Sequence, residues 1–213
     1  MPSATPTRLT PRRKPRQARS TVTLHAIFEA TIQVLLSDGP ERLTTTRVAE
    51  RAGVSVGTLY QYFPHKQALF YGLNEHYLDA LAATIERTCQ TLRGAPIDRM
   101  IEVLVGTYWD AKMERPDITR VLYRSVVDLD NAPLIEAFTR RVDAASAAMF
   151  GSAADAVLPD LAIVNLTLLN TIFGTVRSVC ERDLPDDAAR AVQGQVIVMC
   201  RAYLDRLRTD GRE

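Results

Sequence analysis

Glycine and proline cut this chain into segments that read as helices. The breaks fall at Gly39-Pro40, Gly53, Pro64, Gly94-Ala95-Pro96, Arg115-Pro116, Asn131-Ala132-Pro133, Leu158-Pro159 and Leu184-Pro185. Proline removes a backbone donor and pushes the residue before it out of helical geometry, and glycine accepts the positive φ at which helices commonly end. Between breaks, apolar residues recur at three- and four-residue spacing, as Leu24, Ile27, Phe28, Ile32 and Leu35 do, and no run alternates like a strand. The spacing predicts helices over about 20–38, 45–52, 55–62, 65–93, 97–113, 117–127, 132–150, 159–182 and 186–208. The expected fold class is all-α: an N-terminal three-helix head with a helix-turn-helix, and a larger C-terminal helical body, about nine helices in total.

Charge separates the parts more sharply than the net +1 suggests. Residues 1–20 carry Arg8, Arg12, Arg13, Lys14, Arg16 and Arg19 and no acid, so a polyanion should attract that end alone. Residues 1–19 have almost no apolar content and are expected to form a disordered basic arm. Cys89, Cys180 and Cys200 are odd in number and form no close-spaced metal pattern, which points to reduced thiols in a cytoplasm; no metal or cofactor is implied. The stretch Leu161–Val179 is interrupted by Asn165, Asn170 and Arg177, a poor membrane span and a plausible buried helix.

Gly53-Val54-Ser55-Val56-Gly57 matches the G-x-S-x-G pattern of a hydrolase nucleophile elbow. An elbow needs a strand before the serine, and the preceding residues place Val48, Ala49 and Ala52 on one helical face instead. A turn between two helices accounts for more of the residues. Gly53 ends the first helix, Ser55 accepts backbone N–H groups at the start of the second, and Leu59 and Phe63 form its inward stripe. By the 100° step, Gly57, Thr58, Tyr60 and Gln61 face outward. Glycine inside a helix costs about 1 kcal/mol against alanine, so an outward Gly57 suggests close approach to another surface. The helices on either side open with Thr44, Thr45, Thr46 and Arg47 and with Pro64, His65 and Lys66; hydroxyls, N–H groups and a cation at a helix start suit a phosphate.

The stretch TTTRVAERAGVSVGTLYQYFPHKQALF, residues 44–70, closely resembles the DNA-binding signature of TetR-family transcriptional regulators. The resemblance covers roughly residues 20–72 and implies a homodimer that places each third helix in a DNA major groove. It also implies a C-terminal domain, here 66–213 after a head of 20–65, that usually binds a small molecule and dimerises through its last two helices. Thr45, Ser55, Thr58, Tyr62 and Lys66 match phosphate-contacting positions; Val56, Gly57, Tyr60 and Gln61 match groove-facing positions; Arg47 sits where either role occurs. With Thr46 and His65 from the helix starts, these are the candidate DNA-binding residues.

In the body, the 159–182 helix is apolar around most of its circumference and must be covered on nearly all sides. A partner's equivalent helix pair could cover what one protomer leaves open, with Leu161, Leu168, Val176, Val192, Val196, Met199 and Tyr203 as candidate interface residues. Candidate lining residues for a ligand pocket are Leu104, Tyr108, Trp109, Met113, Tyr123, Phe138, Leu166 and Phe173, with Asn170 and Arg177 as polar anchors. The leading expectation is a cytoplasmic homodimeric repressor released from a palindromic operator on double-stranded DNA by a small apolar or aromatic effector. The alternatives are a DNA-binding dimer with no small-molecule effector, and an esterase-like enzyme using Ser55.

Overall fold

The computed structural model describes residues 18–125 and 131–208. Among them are nine α-helices: α1 Ala18–Asp38, α2 Thr45–Arg51, α3 Val56–Tyr62, α4 Lys66–Thr91, α5 Ile97–Met113, α6 Pro116–Ser125, α7 Ala132–Phe150, α8 Leu161–Arg182 and α9 Asp186–Leu207. The all-α expectation holds, and each helix begins and ends within a few residues of its expected span. The basic arm lies outside the described residues, except that Ala18 and Arg19 already belong to α1.

The chain divides into two compact units, one running to Tyr77 and taking in Val121–Ala132, the other formed by Leu78–Arg120 and the chain from Pro133 onward. The first unit extends past the expected head boundary at residue 65 because α4 opens with a buried run: Ala68, Leu69, Phe70 and Leu73. Its core also takes Ile27, Phe28, Ile32 and Leu35 from α1, Val48 and Ala49 from α2, and Leu59 from α3 with Phe63 just after it. The Phe28 and Phe63 rings lie 5.7 Å apart, and His76 stacks on Phe28 at 5.1 Å.

In the second unit α5 packs against α8 and α9, and α8 against α9. Ile97, Met100, Ile101, Leu104 and Val105 of α5 meet a core that includes Val142, Met149 and Phe150 of α7, Leu168, Ile172 and Val176 of α8, and Val196, Cys200 and Leu204 of α9. A two-pronged ion pair ties α4 to α7, with Arg141 donating from Nε and Nη2 to the two Glu86 carboxylate oxygens at 2.8 and 2.7 Å. The pair holds the Glu86 carboxyl below its ordinary range. By length and composition α8 could cross a membrane, but its inner stripe is buried in this unit.

Candidate functional site

The turn between α2 and α3 closes as the glycine signal requires. Gly53 has φ +66°. Its N–H donates to Glu50 O at 3.2 Å and the Val54 N–H donates to Ala49 O at 3.0 Å, the paired bonds of a left-handed helix stop. Ser55 then caps α3: its hydroxyl accepts the Thr58 N–H at 2.9 Å and lies 2.8 Å from the Thr58 hydroxyl. A serine joining two helices and used as a cap is no strained strand-to-helix nucleophile, so the elbow reading fails.

The four helix starts on this unit share one character: α1, α2, α3 and α4 have no acid in their first turns. Thr44 caps α2 by accepting the Arg47 N–H at 3.2 Å. His65 caps α4, its Nδ1 accepting the Ala68 N–H at 3.1 Å. With Nδ1 committed to the cap, Nε2 is the ring nitrogen left for another partner. Sequence reasoning offered His65 as a phosphate ligand and missed the cap; a histidine two residues before a buried run is too weak a signal to find it.

Most of the candidate DNA-contacting side chains already have partners within the head. The Thr45 hydroxyl lies 3.2 Å from the Tyr60 hydroxyl, and the Tyr62 hydroxyl 3.2 Å from that of Ser20. Arg47 donates to Asp38 at 3.0 Å and to Arg42 O at 3.4 Å. Lys66 donates to Pro40 O at 2.8 Å, its ammonium 6.0 Å from the centroid of the Phe70 ring. These bonds fix the direction of each side chain before any ligand arrives, and each acceptor can be exchanged for a phosphate oxygen. Thr46, Gly57, Tyr60 and Gln61 are exposed, while Val56 and Thr58 are half-buried.

Gly57 is the position where space decides the outcome. A Cβ built there would meet Ser55 Oγ at 3.7 Å, an ordinary contact. Gly57→Ala should therefore raise the thermal stability of the head by up to about 1 kcal/mol, the helix-propensity difference. The close approach expected of Gly57 predicts that DNA affinity falls by about 1–3 kcal/mol. Melting curves and fluorescence anisotropy on one preparation test this; greater stability with undiminished DNA affinity would mean the glycine stands clear of DNA.

The second unit holds a recess of about 270 Å³ whose lining includes Trp109 and Met113 of α5, Val179 and Cys180 of α8, and Leu184 and Ala189. Charged groups also line it: Arg120, Asp183, Asp186 and Arg190. Two of the candidate lining residues are therefore here, and the others are not. Tyr108 and Phe173 stack at 4.2 Å with Phe138 at 5.8 Å from Phe173, rings that cover one another and so leave no cavity between them. Leu104 is fully buried in the α5 core. Tyr123 falls in the segment that groups with the first unit.

The α8 assignments need exchanging. Leu166, Asn170 and Arg177 are exposed, on the same outward stripe as Ile163, and Arg177 pairs with Glu181 one turn on at 2.8 Å. They cannot line an interior pocket. Leu168, Val176 and Val196, expected at an interface, are at most 3% exposed inside this unit and offer a partner nothing. Leu161, Val192 and Tyr203 are half-buried, and Met199 is 52% exposed. Asn165 finds its partner inside the body, donating to Asp143 O at 3.3 Å.

Near the recess, burial pushes the Lys112 ammonium down to about 8. A lysine whose folded pKa is lowered binds fewer protons folded than unfolded, so stability rises with pH from about 8 towards its ordinary 10.5. Lys112→Met should raise the melting temperature at pH 7 and abolish that part of the rise. The readout is the difference between the two proteins, because Cys89 and Cys200, pushed up to about 11 by burial, oppose the trend above pH 9 in both. Equal melting temperatures at pH 7 would show that the ammonium keeps its hydration.

A short capped helix following a glycine stop, with acid-free helix starts around it and an uncharged polar outer face, defines a helix-turn-helix nucleic-acid-binding module. The pattern of the bacterial regulatory proteins of the tetR family matches residues 27–72, and that of the tetracyclin repressor-like C-terminal domain matches 96–204. The chain belongs to the TetR family of DNA-binding transcriptional regulators. It is 33% identical over 113 residues to the nucleoid occlusion factor SlmA of Haemophilus influenzae (strain PittGG), covering 51% of this chain and 49% of that protein. It is likewise 33% identical over 104 residues to the HTH-type transcriptional repressor KstR of Mycolicibacterium smegmatis, covering 49% and 50%. The chain thus spans about half the length of these curated relatives. Its fold is similar to that of a TetR-family regulator from Mesorhizobium loti, with TM-score 0.72 at 16% identity over 91% of this chain and 100% of that one. The fatty acid degradation regulator FadR from Bacillus halodurans shares the fold at TM-score 0.63 and 16% identity, over 83% and 96%.

Proposed function

We propose that this regulator is a homodimeric repressor of the bacterial cytosol that occupies a two-fold operator with α3 in the major groove, and that a small effector bound in the body releases it. The observation that carries the reading is the α3 face, where exposed Gly57, Tyr60 and Gln61 project from a helix capped by Ser55. The capped, acid-free starts of α2 and α4 supply the flanking phosphate contacts. Thr45, Arg47, Ser55, Thr58, Tyr62, His65 and Lys66 act there as positioning groups, and Val56, Gly57, Tyr60 and Gln61 meet base edges.

A dimer is supported by an outward apolar stripe on adjacent helices, Ile163 and Leu166 on α8 and Val198 and Met199 on α9, each 46–62% exposed. Ala191, Gly194 and Ala202 share the α9 stripe and would let a second copy approach closely. The effector would act through α4, the continuous helix that starts beside the DNA-binding face and ends in the body. Half-sites spaced about 34–36 Å apart tolerate little change in head separation. A ligand therefore needs only about 1–3 kcal/mol of coupling to release the operator.

The test begins by selecting bound sequences from random double-stranded DNA, which should yield a two-half-site operator. Glutamine can pair bidentately with adenine. Gln61→Ala should then cost about 1–3 kcal/mol at one base position per half-site and relax preference there. An equal loss on operator and random DNA would make Gln61 a positioning residue and move sequence reading elsewhere.

A further inference from the structure

Charge in the body recess is arranged unevenly. Arg120, in the middle of α6, and Asp183, at the end of α8, form an ion pair across 63 residues of sequence. The Arg120 side chain is 23% exposed and that of Asp183 is 77% exposed. The other acid on the lining, Asp186, is also exposed. On the inner side, Cys180 feels the positive charges of both Lys112 and Arg120. Arg120 is therefore the sheltered charge on the lining, and the acids, like Arg190, sit at its solvent edge. Asp183 itself is held at φ +52°, ψ +50°, one of two non-glycine residues in the left-handed region among those described. Such a conformation costs energy, which surrounding interactions must offset.

We infer that this recess takes an amphipathic organic anion, its apolar body against Trp109, Met113, Val179 and Leu184 and its acidic group replacing Asp183 on Arg120. The exchange is favourable in one direction only. Asp183 can return to water at little cost, because it is already mostly hydrated, whereas a sheltered guanidinium must keep an anionic partner. A carboxylate or sulfonate satisfies the guanidinium by accepting its N–H bonds in place of the Asp183 carboxylate. A cation gains nothing comparable, since its only partners would be the exposed acids. The volume of about 270 Å³ suits a medium-chain acid or one of up to three rings. Losing the Arg120 bond releases the turn between α8 and α9 from α6, which gives the effector a mechanical consequence. This inference rests on the reading of a ligand-responsive regulator and deepens it by naming the ligand class.

Two fluorescent probes with the same aromatic body separate charge from burial: 8-anilinonaphthalene-1-sulfonate, which is anionic, and N-phenyl-1-naphthylamine, which lacks the sulfonate. Trp109 is the only tryptophan and lines the recess, so quenching of its emission reports binding in the body, and the Arg120 and Asp183 variants assign that binding to the recess. In the wild type, the anionic probe should quench Trp109 at roughly tenfold lower concentration than the neutral one, as a charge-assisted hydrogen bond predicts. Arg120→Met should weaken the anionic probe by roughly tenfold or more and leave the neutral one within about twofold. Asp183→Asn keeps a side chain that tolerates the left-handed backbone but removes the competitor, and should strengthen the anionic probe severalfold. A pair serving only to hold the helices together would shift both variants the same way. Such a shared shift, equal affinity of the two probes for the wild type, or no quenching by either would overturn the assignment. Operator anisotropy on the ligand-free protein is measured in parallel. Its failure would sink the regulator reading without touching the probe contrast, and failure of the contrast would leave operator binding intact.

Discussion

A Met199→Asp variant is expected to sediment as a monomer and to bind operator about 10²–10⁴-fold more weakly than the wild type. Met199 is 52% exposed beside Val198 at 59%, and the adjacent α8 stripe exposes Ile163 at 62% and Leu166 at 46%. In an isologous dimer these residues face their own copies, so a single substitution places two carboxylates in one apolar interface. Removing a charge from water without a partner is strongly unfavourable, enough to reverse association through a patch of this kind. Each protomer should still fold, because the side chain contributes little to the protomer's own core. The loss on DNA follows from valency: two linked heads engage two half-sites at a high effective concentration, and a lone head has no such gain. Sedimentation velocity and anisotropy on the selected operator check both halves. A stable dimer with unchanged affinity would place the interface on another surface.

The second large effect belongs to Phe63→Ala. Phe63 follows the last turn of α3, is 1% exposed, and packs its ring 5.7 Å from that of Phe28. Truncating a buried phenylalanine costs about 3–5 kcal/mol, combining lost transfer energy with the cavity left behind. The unit that bears this loss is small, and small units bury proportionately less surface and have little stability in reserve. Operator binding should be abolished at ambient temperature, with circular dichroism losing only part of its helical signal. Limited proteolysis should cut within the first unit while the second stays protected. The Phe63 N–H also closes the end of α3 by donating to Leu59 O at 2.9 Å, but alanine keeps that bond, so the variant isolates the ring. An unchanged melting profile would show that α2 and α4 hold the head together without it.

The helix boundaries and the α3 face were legible in the chain alone, because both depend on local rules. Gly53 must adopt positive φ, Pro64 bars helical geometry at Phe63, and a serine before an apolar-periodic segment is a cap; none of this needs a distant residue. Exposed Gly57, Tyr60 and Gln61 followed from a fixed rotation per residue over two turns, with Leu59 and Phe63 marking the inside; Thr58, read as outward, is half-buried with its hydroxyl against Ser55. The separation of a basic N-terminal end from a more acidic body is likewise a property of composition.

Which side of α8 faces the core was a different kind of question. A helix apolar on most of its circumference carries almost no directional signal, so Leu166 and Leu168 look equivalent until neighbours are placed. Packing against α5 and α9 buries Leu168 and Val176 and leaves Leu166, Asn170 and Arg177 outside. The aromatic residues of α5, α7 and α8 could equally have lined a cavity or filled one. Only their mutual stacking, at 4.2 and 5.8 Å, showed that they fill it. The recess beside Trp109 forms where the ends of four helices meet, and its charged lining includes Arg120 and Asp183, 63 residues apart. Local propensity acts over a few residues and fixes where helices begin, end and turn. Faces, cavities and long-range ion pairs arise from how those helices pack, and a single helix does not encode its neighbours.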